Sequence, residues 1–141
     1  MNFSTEITTQ EISPQQLLQK FASTKSGANV VFYGIIRDEG NGKLVDHLFY
    51  EAHEILAENL VNDILQEANK KFKLEFSLAV HRIGKLIPGE IAVGVLTWSK
   101  HRKEAYDANE YIIHRIKHEA PIWKKEIFTD GTYVWGNNCH C

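Results

Sequence analysis

Apolar positions along the chain recur with two different periods, and the period decides the element. Apolar side chains at 56, 57, 60, 61, 64, 65, 68 and 72 return every three to four residues, with Glu54, Glu58, Asp63, Glu67, Lys70 and Lys71 off the stripe. That spacing predicts a long one-faced helix from about His53 to Phe72. A second helix is predicted from Ser99, placed as its N-cap, to about His118. Its core stripe is Ala105, Ala108, Ile112 and Ile116, and Pro121 bars continuation. Ser13-Pro14 followed by Leu17, Leu18 and Phe21 reads as a cap, a first-turn proline and a short amphipathic helix closing near Gly27.

Between the helices the pattern shortens to strands. Asn29 to Arg37 is a β-branched and aromatic run, the Asp38-Glu-Gly-Asn-Gly42 cluster breaks it, and Leu44 to Glu51 is expected to return as the second strand of a hairpin. Phe76, Leu78 and Val80 alternate with Ser77, Ala79 and His81 up to Gly84. After Pro88-Gly89, Ile91 to Trp98 is the most apolar strand of the chain. Ile122 to Phe128 and Thr132 to Trp135 flank Asp130-Gly131 as a C-terminal β-hairpin. The order α-β-β-α-β-β-α-β-β, with strands arriving in adjacent pairs, predicts an α+β sandwich with a mainly antiparallel sheet.

At 141 residues the chain has room for one domain, expected to span 1–141 with residues 137–141 as a flexible tail. Lys+Arg 16 against Asp+Glu 18 gives a net charge of -2, which denies the protein a global positive field for a nucleic acid backbone. Any anion site must therefore be a local patch. Val30 to Ile36 and Ile91 to Trp98 fall far short of the roughly 20 apolar residues that cross a bilayer. With no cationic n-region leading an apolar run, the expected location is the cytosol. The only cysteines, Cys139 and Cys141, make no disulfide framework, which agrees with a reducing compartment.

Charge is nevertheless uneven. Residues 38 to 75 hold nine acidic and four basic side chains, whereas residues 100 to 126 hold seven Lys/Arg, five Asp/Glu and three His. A charge run is ordinarily a solvated helix face, and lysines near a helix C-terminus complement its dipole. Position changes the picture for two of them. Lys117 stands in the last turn before the proline break, and Lys124 alternates with Glu126 and Phe128 on one face of the strand that follows. A short turn joins helix to strand, so both ammonium groups can converge on one pocket and serve as acid, base or electrostatic stabiliser. Arg37 ends an apolar strand beside a glycine-rich loop, a position for an oxyanion or phosphate contact as well as for a snorkelling arginine. His101 and Arg102 lie in a helix first turn, where cations are unfavourable for the helix and an anion is favoured.

Helix length sets a limit on these groupings. Sixteen residues of helix separate His101 from Lys117, or roughly 24 Å at about 1.5 Å per residue. If both serve one small-molecule pocket, the pocket is composite and the helix start comes from a second subunit across a two-fold interface. Other motifs fail. Gly40-Asn41-Gly42-Lys43 is no phosphate loop, because Arg37 stands where the first glycine belongs and Leu44 where Ser or Thr belongs. His114 and His118 are four apart but lack a helical Glu partner, so no metal site is expected. Cys139-His140-Cys141 has no second ligand cluster and reads as tail.

Five blocks in register carry a resemblance. Gly27-Ala-Asn-Val-Val-Phe-Tyr-Gly-Ile-Ile-Arg37, Leu48-Phe-Tyr-Glu-Ala52, His81-Arg-Ile-Gly-Lys-Leu86 with Gly89-Glu90, His101-Arg-Lys-Glu-Ala105 and Pro121-Ile-Trp-Lys-Lys-Glu126 resemble the large, catalytic subunit of molybdopterin synthase. The match runs from about residue 25 to 136. It implies an α/β hammerhead-type two-layer fold and a homodimer at the centre of a heterotetramer, with a small ubiquitin-like partner at each end. It implies sulfur transfer from the partner's C-terminal Gly-Gly thiocarboxylate to cyclic pyranopterin monophosphate, forming the dithiolene of molybdopterin in molybdenum cofactor biosynthesis. No cofactor and no cysteine chemistry are required.

By the same resemblance Lys117 and Lys124 are the essential lysines, Lys117 meeting the donor tail's terminal carbonyl and Lys124 acting with it on the pterin side chain. Arg37, Ile35 and Ile36 line the substrate pocket, and His101 and Arg102 bind phosphate from the opposite protomer. Lys125 and Glu126 complete the strand; by alternation Glu126 shares the Lys124 face and Lys125 points away. Phe32 and Trp123 read as packing or pocket wall. Past Gly136 the family commonly continues in a longer, more basic tail than Asn137-Asn-Cys-His-Cys141. The competing readings are a non-catalytic docking module for an anion or acidic partner, a Schiff-base lysine enzyme and a persulfide carrier.

Overall fold

The computed structural model describes residues 2–137. Two sheets share the strands. The first has the order β1-β5-β7-β2, from β1 (Phe3–Thr8), β5 (Phe76–Arg82), β7 (Ile91–Ser99) and β2 (Ala28–Ile35). The second has the order β3-β4-β8-β9, from β3 (Glu39–Gly40), β4 (Lys43–Ala52), β8 (Ile122–Phe128) and β9 (Tyr133–Asn137), with the short β6 (Gly84–Leu86) also paired to β4. All pairings are antiparallel except β1 with β5. The expected α+β architecture with a mainly antiparallel sheet and a C-terminal hairpin is what forms. The expected tail from residue 137 falls outside the described residues, save for Asn137, which closes β9.

Helices α2 (Glu54–Phe72) and α3 (Arg102–Glu119) pack against each other and against the first sheet. Val61, Ile64, Leu65 and Ala68 of α2 meet Ile112 and Ile116 of α3 over Ala79 and Val95. Apolar burial supplies the main stabilisation here. Asn109 interrupts the apolar stripe of α3 yet is 4% exposed. Its Nδ2 donates to the carbonyls of Val95 (2.9 Å) and Val30 (3.1 Å), tying α3 to both β7 and β2. Arg115 ties α3 to α2 through Glu67 and holds Glu119 within its own helix. Among the described residues no helix is long and apolar enough to cross a membrane.

Three local expectations are corrected. Helix α1 (Pro14–Leu18) has the predicted Ser13 cap and first-turn proline but ends well before Gly27. Phe21 is not on a helical face; it stacks on Phe76 at 4.7 Å and meets Trp98 edge-on at 5.4 Å, anchoring an irregular segment to the first sheet. Helix α3 is capped by His101, not Ser99, without a side-chain cap bond, because Ser99 still belongs to β7 and its Oγ donates to the His101 carbonyl. The third correction positions the site. β2 and β4 do not form a hairpin: β2 pairs with β7 and β4 with β8. A bulge at Gly34/Ile35 ends the β2 ladder. Ile36 then exchanges main-chain bonds with the 87–90 turn, its N–H to Glu90 O at 2.9 Å and its carbonyl from Gly89 N–H at 2.8 Å, and the chain passes to the second sheet. Strand β1 has no counterpart in the expected order, although Phe3, Thr5 and Ile7 alternate with Ser4, Glu6 and Thr8.

Replacing Asn109 by leucine keeps the branching at Cγ but leaves two sheet carbonyls without its donor. Asn109→Leu is expected to cost about 2 kcal/mol in urea unfolding, and an unchanged midpoint would contradict the tie.

Candidate active site

The crossing from the first sheet to the second leaves a seam, and the last turn of α3 ends against it. A cavity of about 100 Å³ opens there, lined by Ile35, Ile36 and Arg37 after the bulge, Glu39 of β3, Val45, Leu48 and Tyr50 of β4, Lys117 of α3, and Lys124 and Glu126 of β8. The strand register explains the selection. Leu48 stands opposite Glu126 and Tyr50 opposite Lys124, so these four share the inner face, while Phe49 and Lys125 share the outer one. Lys125 Nζ lies 4.2 Å from the Tyr133 ring centroid and 5.7 Å from that of Trp135. It packs by cation–π contact on the far side of the sheet.

Lys124 and Glu126 form an ion pair at 3.4 Å with side chains only 12% and 13% exposed. Glu126 thus supplies negative charge beside Lys124, and Glu39 adds a second carboxylate to the lining. Gly40 comes close above Glu126: a Cβ at that position would stand 2.5 Å from Glu126 Oε2. Asn41 and Gly42 both have positive φ, 51° and 75°, as a two-residue hairpin between β3 and β4 demands. Tyr50 is buried, and burial, then the Glu126 charge, pushes its hydroxyl up to about 12. It stays neutral and can donate.

Beneath Tyr50 lies His81, buried at 3% exposure with its ring edge-on to the tyrosine, centroids 5.0 Å apart. Burial holds its pKa down to about 4; the Arg82 carbonyl bond opposes this and the Lys117 charge adds to it. The next residue, Arg82, binds Glu90 at 3.0 Å, and Glu90 also accepts from Ile87 N–H at 2.8 Å. That clamp fixes the turn whose main chain holds Ile36.

Of the residues singled out in the sequence, Ile35, Ile36, Arg37, Lys117, Lys124 and Glu126 meet at this cavity. Lys125 does not, for the register reason above. His101 and Arg102 are exposed at the opposite end of α3, 16 and 15 positions from Lys117. The alternation Leu48-x-Tyr50 signalled two further wall residues, and His81 belonged to a recognised motif without an assigned role. Among the described residues no group of three or more His, Cys, Asp or Glu is placed to hold a metal. His114 and His118 lie ring against ring on exposed helix surface, 4.2 Å apart. Cys139, His140 and Cys141 lie outside the described residues. A larger cleft of about 660 Å³ sits between β1, α1 and β5, where Lys20 is the one cation among residues such as Glu6 and Glu11. Its lining offers no paired cations, whereas the smaller cavity brings Arg37, Lys117 and Lys124 together and is the candidate site.

Comparison with known proteins places the chain in a family. The family model described as MoaE protein matches residues 7–119. The molybdopterin synthase catalytic subunit of Bacillus subtilis is 43% identical over 126 residues, 89% of this chain and 80% of that protein. Its counterpart from Thermoplasma volcanium is 36% identical over 135 residues, 96% and 98% of the two chains. The crystal structure of molybdopterin synthase from Staphylococcus aureus superposes with a TM-score of 0.89 at 41% identity, covering 94% of this chain and 96% of that one. With the family model, the relatives and the superposed fold in agreement, the chain belongs to the MoaE family of molybdopterin synthase catalytic subunits.

Proposed function

We propose that the chain transfers sulfur from the C-terminal thiocarboxylate of a small ubiquitin-like partner to cyclic pyranopterin monophosphate, building the dithiolene of molybdopterin. The observation that carries this reading is the meeting of Arg37, Lys117 and Lys124, from three separate segments of the chain, around one cavity whose lining among the described residues has no thiol. A thiocarboxylate and a phosphate are both anions, and the sulfur arrives with the partner. Fixed cations are what such a site needs.

The residues divide the work. Lys117 meets the terminal carbonyl of the donor tail, polarises it and assists proton transfer; Lys124, held by Glu126, acts on the pterin side chain. Arg37 binds substrate oxygens through charge-assisted hydrogen bonds, and Ile35 and Ile36 give it an apolar wall. A cavity of about 100 Å³ is a fraction of the roughly 300–1,000 Å³ that encloses a small ligand. This supports a composite site, completed by His101 and Arg102 of a second copy and by the incoming tail. The assembly is then a homodimer carrying two small subunits, working in the cytosol. Lys125, on the outer face, takes no part in the chemistry on this reading.

A single-turnover assay with thiocarboxylated partner and cyclic pyranopterin monophosphate tests the proposal. Lys117→Ala and Lys124→Ala are each expected to slow dithiolene formation on the order of 10²–10⁴-fold, with partner affinity changed only a few-fold. Loss of partner binding in proportion to charge, with no turnover by the wild type, would instead make this a docking module. Gly40→Ala is a milder probe, since its methyl would displace the Glu126 carboxylate from Lys124. The expected loss is about tenfold in rate, equal to about 1.4 kcal/mol, with an unchanged unfolding midpoint.

A further inference from the structure

The His81-Arg82 motif adjoins the cavity, yet no step above uses its histidine. His81 Nδ1 lies 2.8 Å from the Arg82 carbonyl oxygen. A carbonyl cannot donate, so Nδ1 carries the hydrogen and the neutral ring keeps its lone pair on Nε2. The ring cannot turn to find water, because it is 3% exposed and set edge-on against Tyr50. On one side it meets Tyr50 from β4 and feels the charge of Lys117 from α3, both of which line the cavity with Arg37, Lys124 and Glu126. On the other it shares a small pocket with Thr5 and Glu6 of β1, Val61 of α2, Val93 of β7 and Ile116, the residue before Lys117. Of these, Lys117 is the cation whose charge acts on the imidazole. A buried lone pair needs a donor, and an ammonium has three hydrogens and no acceptor.

We propose that His81 is the positioning residue of Lys117: its unprotonated Nε2 accepts a hydrogen bond from Lys117 Nζ and fixes the amine at the base of the cavity. The remaining hydrogens of Nζ then point to the donor carbonyl. The Arg82–Glu90 clamp sets the same motif against Ile36, so one short segment, residues 81 to 90, orients both the amine and the opposite wall. Its catalytic consequence rests on the assignment of Lys117 as the group that meets the tail.

Histidine-selective ¹⁵N NMR on the isolated protein reads the bond without any turnover, which separates failure of this inference from failure of the sulfur-transfer reading. At pH 7 the His81 signals are expected to show a protonated Nδ1 and an unprotonated, hydrogen-bonded Nε2. Lys117→Met is expected to move Nε2 toward the value of a free acceptor while Nδ1 stays. A protonated Nε2, or an Nε2 signal indifferent to Lys117→Met, would overturn the proposal. Acid stability gives a second readout. The folded ring titrates at about 4 and an unfolded histidine at 6.5, so the unfolded chain binds more protons between those values. Stability therefore falls as pH drops through that window, and His81→Gln is expected to lose that share of the slope. A slope identical to the wild type would show that the ring is not buried neutral.

Activity separates positioning from packing. His81→Leu is expected to lose on the order of 10²-fold in single-turnover rate at unchanged half-saturating substrate and partner affinity. His81→Gln, with an amide acceptor near the Nε2 position, is expected to recover most of it. A folded His81→Leu as fast as the wild type would overturn the role. So would a His81→Gln as slow as His81→Leu while equally well folded.

Discussion

Like charges repel, and the site exists only because the fold forces three cations to one seam. Two unit charges 4 Å apart interact by about 4 kcal/mol at the effective dielectric of a protein surface. That repulsion must be outweighed by elements that are stable for other reasons. Lys117 is delivered by a helix anchored through Asn109 and Ile112 to the first sheet. Lys124 is delivered by the register of β8 on β4, and Arg37 by the bulge that ends β2. Two carboxylates of the lining relieve the charge from within, Glu126, paired with Lys124 beside Gly40, and Glu39. On the proposed reading the remaining relief comes from the substrate and the donor tail, so the free site is electrostatically poised for anions.

Rigidity and openness are divided between the two sheets. The first is covered by α2 and α3 and carries two of the three apolar clusters, while the third gathers on the inner face of the second. The second keeps one face, with Phe49, Lys125 and Trp135, toward solvent. The cavity lies where they join, one wall short of enclosure. Helix α3 works as a ruler in this arrangement: its last turn reaches the cavity of its own chain, while its first turn, with His101 and Arg102, stands far outside it. Such a ruler has a use for both ends if two copies face each other across a two-fold axis.

Much of this was legible in the residues. The 3.6-residue period placed α2, and Pro121 placed the end of α3. The Asp130-Gly131 turn placed the C-terminal hairpin, and alternation put Lys124 and Glu126 on one face with Lys125 on the other. What escaped was non-local. The hairpin expected between Asn29–Arg37 and Leu44–Glu51 has the right strands and the wrong partners, because a bulge and two main-chain bonds to Ile36 are tertiary events that adjacency in sequence does not encode. Phe21 and Leu17 share an apolar character that a helix and an aromatic anchor use equally well. Asn109 hid inside an apolar stripe, and His81 looked like any polar member of an alternating strand. Both are polar groups whose meaning depends on which carbonyl or cation lies opposite them.

The most direct test of the composite sulfur-transfer site mixes two inactive proteins. Lys117→Ala and Arg102→Ala chains, refolded together with the small subunit, form mixed dimers in which one site has both mutations and the other has none. If the two residues act across the interface, the mixture regains about one quarter of wild-type dithiolene formation, from random pairing into two-site dimers. If Lys117 and Arg102 of one chain served the same site, no intact site could form. A folded mixture that stays inactive beside a working wild type would then contradict the account.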